Sequence, residues 1–264
     1  MNIIVIGGKG FVGSAFVRVA RGTRAAGRRH RVTVVSRQNY DRHRGRSCDL
    51  LINANGNTRK YRAERNPIGE FRASVLSVLR TLLDFPARRY VYLSSIDVYP
   101  QVSDPRCNRE TAAIHPEKLS RYGLHKYLAE QLVRQYAASW LICRLGGMVG
   151  PGLWKNPIYD ILHNQPLWVH ASSDYQFMLT DDVAKTVLSL ARLQPENDVF
   201  NVCGDGCISV ADAARAAGRP LPAYASPDAR REHYEINVEK LKSLVAVART
   251  EDSVRRFLAR KPRY

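Results

Sequence analysis

The chain predicts an α/β fold: a doubly wound parallel sheet with a smaller, interleaved C-terminal domain. Three observations lead there. Asn2-Ile-Ile-Val-Ile6 is a short, mostly β-branched run that feeds straight into a loop with glycines at 7, 10 and 13. Apolar runs of strand length then alternate with helix-length segments as far as Arg144. Near the middle, a strand-like run ending in Ser94-Ser95 precedes a helix-like segment carrying Tyr122 and Lys126.

The elements follow in order. Residues 2–6 read as a strand, and 13–21 as a helix. Arg31-Val-Thr-Val-Val35 is a second strand, and Asp49-Leu-Leu-Ile-Asn53 a third. About a dozen residues separate these two, too few for a helix and another strand, so one sheet edge should be trimmed. A helix spans 66–84, a strand 89–94, a long helix 120–138, and a strand 140–144. Beyond Gly150-Pro-Gly152 the chain is less regular, with prolines at 157 and 166. Helices are expected at 183–192, 209–217 and 252–258, with a strand at 199–202. The expected division is 1–150 for a first domain and 151–264 for a smaller second one, with part of 177–203 returning to the first.

The glycine loop carries the first chemistry. A strand, a tight turn and a helix N-terminus, with glycines spaced G-x-x-G-x-x-G, form a cradle for a dinucleotide pyrophosphate. Gly7 allows the turn, Gly10 lets phosphate approach the backbone, and Gly13 lets the helix pack closely on the strand. Phe11 and Val12, which open the helix, join the expected cofactor set.

Bulk properties set the class. The chain has 264 residues and is 45% hydrophobic, enough for a sizeable core. Its net charge is +17, and 32 of its 41 basic residues are arginines. They are spread along the chain without a zinc-finger, RNP or helix-turn-helix pattern, so the charge favours anionic small molecules over specific nucleic-acid binding. No apolar stretch is long enough to span a membrane. No secretory leader is apparent, and the expected location is cytoplasmic. The five cysteines are odd in number and scattered, as in reduced thiols. The three-residue gap of Cys203-Gly-Asp-Gly-Cys207 is not a metal spacing by itself, and no metal is expected.

Tyr122 and Lys126 stand four apart and share one helix face. An ammonium beside a phenol favours the phenolate, so a lowered tyrosine pKa is expected. Such a tyrosine can exchange a proton with a substrate oxygen. Ser94 and Ser95 end a parallel strand, where open α/β sheets bind ligands.

Taken together, these motifs resemble the extended short-chain dehydrogenase/reductase family, of the NAD-dependent epimerase/dehydratase type that modifies nucleotide-sugars. The resemblance covers nearly the whole chain and implies a Rossmann-type fold. Ser95 matches the catalytic Ser/Thr four residues before Tyr99, and Tyr122 and Lys126 match the Tyr-x-x-x-Lys pair. Arg144-Leu-Gly-Gly-Met-Val-Gly-Pro151 resembles "R-x-x-N-V-Y-G-P", Gln176-Phe-Met-Leu-Thr-Asp-Asp-Val-Ala184 resembles "RDFIHVDDVA", and Val199-Phe-Asn-Val-Cys-Gly204 resembles "xYNVGxG". By resemblance, Ser95 orients the substrate oxygen, Tyr122 moves the proton, and Lys126 also bonds the nicotinamide ribose. Ala54, Asn55, Gly56, Tyr122 and Leu145 line the cofactor. Asp97, Arg230 and Arg231 are candidate substrate contacts.

The second strand ends Val35-Ser36-Arg37, without the acid that grips the ribose of NAD. A hydroxyl and a guanidinium suit a 2′-phosphate, so NADP(H) is the expected cofactor and NAD(H) the alternative. Gly147 stands where the family often carries an asparagine, and Asp97 is a single acid where 4,6-dehydratases carry two. The expected activity is reduction, or epimerisation, of an anionic nucleotide-linked keto-sugar. A non-nucleotide carbonyl and a non-catalytic dinucleotide-binding subunit stay open as alternatives. A homodimer is implied by the resemblance alone.

Overall fold

A computed structural model describes residues 1–25, 28–56, 60–193 and 196–260. Six strands form one parallel sheet: β1 (Asn2–Ile6), β2 (Arg31–Val35), β3 (Cys48–Asn53), β4 (Ala87–Ser95), β5 (Trp140–Leu145) and β6 (Asp198–Val202). Their spatial order is β2-β1-β3-β4-β5-β6. Side chains alternate between the two faces of a strand, and both faces here are covered. Ile3 and Val5 enter one core cluster with Phe16, Val91, Leu141 and Val187. Ile4 and Ile6 enter the other with Val78, Tyr92, Ala129 and Ile142. Helices α1 (Phe11–Gly22) and α4 (Thr180–Leu193) cover the first face. Helices α2 (Ser77–Asp84) and α3 (Arg121–Tyr136) cover the second.

The trimmed edge follows from chain length. Between β2 and β3 lie a single 3₁₀ turn, Arg37–Asn39, and a four-residue helix, Tyr40–His43, so β2 is left as the edge strand on that side. Residues 66–84, expected as one helix, are divided. Asn66 caps Pro67–Phe71 through a 2.9 Å bond from the Gly69 amide, and Arg72–Leu76 is a π turn before α2. Ser77 donates 2.5 Å back to the Ala73 carbonyl, a side-chain bond of the kind that competes with the helix ladder.

The register sets the site. Ile6 lies opposite Val35 and Asn53, and β4 runs three residues beyond the Asn53–Tyr92 pair to reach Ser95, opposite Leu145. The glycine loop, Ala54, Ser95 and Leu145 therefore all emerge at the C-terminal ends of parallel strands. A third core cluster, with Val149, Ile158, Leu167, Phe177, Ile208 and Val254, lies wholly beyond residue 148. Thr180–Leu193 and β6 return from this region to the central sheet, where Val187 and Phe200 join the first cluster.

Candidate active site

At the end of β1 the chain reverses through Gly7, whose φ of +73° is open to glycine at little cost. A Cβ on Gly13 would stand 2.2 Å from the Gly7 carbonyl oxygen. The glycine at 13 thus lets α1 pack on the loop's own backbone, rather than on the strand. Gly10 donates 2.9 Å to the Gly7 carbonyl and precedes α1, which no side chain caps and whose first turn holds no acid. A helix N-terminus of that kind favours an anion.

Phe11 and Val12 border a cleft of about 550 Å³. Ala54, Asn55, Gly56, Ser95, Asp97, Tyr122, Lys126 and Leu145 line it as well. The order follows from the elements already described: strand ends β3, β4 and β5 supply Ala54, Ser95 and Leu145, and α3 supplies Tyr122 and Lys126. Ser120 caps α3 by accepting 3.1 Å from the Gly123 amide. A Cβ on Gly123 would meet the Asp97 carbonyl at 2.2 Å, so this glycine lets the first turn of α3 press against the end of β4.

The Ser95 hydroxyl donates 2.7 Å to Asp97, and the other Asp97 oxygen accepts 2.6 Å from Lys60. The neighbouring Ser95 hydroxyl pulls the Tyr122 phenol toward the phenolate. Tyr122 is nonetheless raised above its ordinary value, first by burial and then by the Asp97 charge. This corrects the expectation of a lowered tyrosine pKa. Lys126 is buried too, and its ammonium donates 3.1 Å to the Leu93 carbonyl and stands 5.1 Å from the centre of the Tyr92 ring. Burial brings Lys126 down to about 8, against the pull of Glu70, Glu130 and Asp97.

Not all expected residues meet here. Ser36 turns its hydroxyl toward Gln38 and Asn39, 2.9 and 3.2 Å away, and caps the turn after β2. Arg37 is exposed at the first position of that turn. Arg230 and Arg231 lie outside the cleft lining. Arg230 offers its carbonyl to the His170 amide, and Arg231 is drawn 3.1 Å onto Asp174. Gly147 lines the cleft, but a Cβ there would meet the Gln176 carbonyl at 2.4 Å. Pairing of Gly147–Val149 with Phe177–Leu179 leaves no room for an asparagine side chain on that backbone.

Several residues of this neighbourhood are invisible to motif reading. Lys60 reaches Asp97 across 37 positions and lies 5.2 Å from the Tyr234 ring centre. Glu70 pairs with His125, inside the Tyr-x-x-x-Lys segment, and both are buried. Asn156 takes a φ of +112° at the cleft wall, with its amide donating 3.0 Å to Met148 and accepting from Tyr159. Asp160 lines the cleft and is raised to about 6 by burial. Only Glu130 had a sequence signal, one further helical turn beyond Lys126 on the same face.

Fold and site together define an open α/β protein with a glycine-rich turn and a Ser-Tyr-Lys constellation. A model of the NAD dependent epimerase/dehydratase family matches residues 47–203, and the chain belongs to that family. The glycine loop lies ahead of the matched stretch. No curated protein matches the chain by sequence. Among solved structures, "MoeE5 in complex with UDP-glucose and NAD" is 22% identical, with a TM-score of 0.78 over 98% of this chain and 96% of that one. "RMD from Pseudomonas aeruginosa complexed with NADPH" is 18% identical, with a TM-score of 0.78 over 98% of each chain. A dTDP-4-dehydrorhamnose reductase from Bacillus anthracis, in complex with NADP, is 16% identical with a TM-score of 0.76, over 98% and 97% of the two chains. At such identity the likeness establishes the fold. No described helix is long and apolar enough to cross a membrane.

Proposed function

We propose that this chain is an NADP(H)-dependent reductase of a nucleotide-linked keto-sugar, with epimerisation as the close variant of the same chemistry. The observation that carries the reading is the meeting of Ser95, Tyr122 and Lys126 in one cleft with the loop residues Ala54, Asn55 and Gly56. Solved structures of similar fold were obtained with NAD, NADP or NADPH, and one with UDP-glucose. We assign residues 1–150 to cofactor binding and 151–264 mainly to the substrate.

The residues present fit a dinucleotide. The loop at Gly7, Gly10 and Gly13 would hold the pyrophosphate at the α1 N-terminus, and Ala54 to Gly56 would border the nicotinamide half. Bound there, the nicotinamide supplies the hydride. Ser95 holds the carbonyl oxygen of the substrate, and the Tyr122 hydroxyl gives that oxygen its proton, so the ketone becomes an alcohol. Burial keeps Tyr122 protonated at neutral pH, which suits a proton donor in the reductive direction. Lys126 would hold the ribose. Trp154 and Trp168 line the cleft with exposed rings, which suit stacking on a nucleobase. Lys155 adds positive charge to the cleft lining for a diphosphate, whereas Lys60 is paired with Asp97.

The reading is tested by titrating the protein with NADPH and then adding nucleotide-linked 4-keto sugars, following absorbance of the reduced cofactor. Oxidation on adding the sugar supports it. Tight cofactor binding without oxidation by any of them points to another carbonyl or to a non-catalytic binding role.

Two further outcomes follow. Arg37→Ala is expected to lower the preference for NADPH over NADH by about 10–100-fold, the range for a lost hydrogen bond to a charged group; an unchanged ratio removes Arg37 from phosphate recognition. Lys126 is an ammonium below about pH 8 and loses its charge above it. Cofactor affinity is therefore expected to fall as pH rises through 8, and Lys126→Met should flatten that dependence in a binding titration.

A further inference from the structure

We propose that Cys207, His233 and Glu235 form a binding site for a divalent cation of zinc type, set behind the substrate wall of the cleft. A thiol, an imidazole nitrogen and a carboxylate oxygen from these residues all lie within 4.8 Å of one another. That is a borderline-soft donor set, S, N and O, leaving a fourth position for water.

The backbone explains how three distant residues meet. Asp174–Tyr175 is the middle strand of a small assembly. On one side it pairs antiparallel with Ile208–Ser209, which brings in Cys207. On the other side runs the segment 232–236. The Asp174 amide donates 2.9 Å to the Glu232 carbonyl, and the Tyr234 amide donates 2.9 Å to the Asp174 carbonyl. Alternate residues of an extended segment face opposite ways. Glu232 and Tyr234 line the cleft, so His233 and Glu235 share the reverse face with Cys207.

Distances within the cluster suit an ion. His233 Nε2 and the Glu235 carboxylate are 3.1 Å apart. Two ligands about 2.0–2.1 Å from one zinc, at a tetrahedral angle, stand about 3.3 Å apart. His233 Nδ1 lies 3.3 Å from Asp174, the arrangement in which a carboxylate accepts a hydrogen bond from Nδ1–H and leaves Nε2 to the metal. Asp174 is itself held by Arg231 at 3.1 Å. The Cys207 thiol donates 3.3 Å to the Tyr234 carbonyl and would turn from it to bind.

Charge agrees with geometry: the carboxylates of Asp174 and Glu235 flank His233, with the Cys207 thiol beside them. A cation relieves that crowding: Cys207 releases its proton to water, and the thiolate and two carboxylates then balance the ion and Arg231. Cys203, its neighbour in the sequence, is buried in a different cluster with Ile96 and Val98 and takes no part. The consequence is structural. An ion here would clamp the 232–236 segment to the strand that carries Tyr175, fixing the wall formed by Glu232 and Tyr234.

The test needs no substrate, so it stands apart from the proposed activity. The reduced full chain, stripped with chelator, is titrated with Co²⁺ and then Zn²⁺. One equivalent of Co²⁺ should give a thiolate-to-cobalt charge-transfer band that one equivalent of Zn²⁺ removes. Cys207→Ser should abolish the band, and Cys107→Ser, at an exposed thiol, should keep it. Asp174→Asn should weaken the affinity about 10–100-fold, as loss of a partner to a ligating histidine does. If Cys207→Ser does not fold, His233→Gln takes its place, with loss of stoichiometric binding as the readout. Absence of a band at stoichiometric metal, or a band that survives Cys207→Ser, overturns the site and leaves His233 as a hydrogen-bonded link between the Asp174 and Glu235 side chains.

Discussion

Tyr122→Phe is expected to lower kcat by about 10²–10⁴-fold, the usual worth of a positioned general acid, while leaving NADPH affinity unchanged. The phenyl ring fills the same buried space, so the loss falls on the proton and not on the fold. The hydroxyl neighbours Ser95 and faces the Asp97 charge, and Lys60 neutralises that charge at 2.6 Å. Solvent isotope effects should shrink in the variant if proton transfer has left the enzyme's control. A variant that keeps most of its rate would remove Tyr122 from the mechanism and revive the non-catalytic reading.

Glu130→Ala should have the largest effect on stability. Glu130 is fully buried; it accepts 2.6 Å from Ser94 and pairs with Arg144 through bonds of 3.1 and 2.8 Å. Arg144 also donates 2.7 Å to Tyr99, which donates 2.8 Å to Asn201. Removing the carboxylate strands the guanidinium between β4, β5 and β6. An uncompensated buried charge costs about 3–5 kcal/mol. For a chain of this size that corresponds to a fall in Tm of roughly 6–20 °C. Replacing Glu130 and Arg144 together with methionine should recover much of the loss, because the penalty belongs to the unpaired ion. A change below about 2 °C in calorimetry would show that water already solvates this pair. The network bears on function as well, since Ser94 adjoins Ser95 and Arg144 adjoins Leu145.

Much of this architecture is legible in the chain because it is periodic. Ile3 and Val5 on one face, and Ile4 and Ile6 on the other, already announce a strand covered on both sides. The glycines at 7 and 13 have steric causes that spacing can express. The four-residue interval of Tyr122 and Lys126 likewise survives as a shared helix face. What was illegible involves side chains that meet without any period. Lys60 finds Asp97 across a loop, and Glu70 finds His125 from a helix broken by a π turn. Arg230 and Arg231 read as an anion grip, yet the nearby Asp174 carboxylate claims Arg231. The pKa of Tyr122 was misread for a related reason: spacing shows its neighbour on the helix but not its burial or the acid at the end of β4.

The most direct test of the central claim is hydride transfer itself. The protein would be incubated with a nucleotide-linked 4-keto sugar and NADPH deuterated at the transferable position, and the sugar product weighed by mass spectrometry. A reductase carries the deuterium into the product, which gains one mass unit over the unlabelled control, and Tyr122→Phe slows the incorporation. Tight NADPH binding with no label in any sugar would contradict the account.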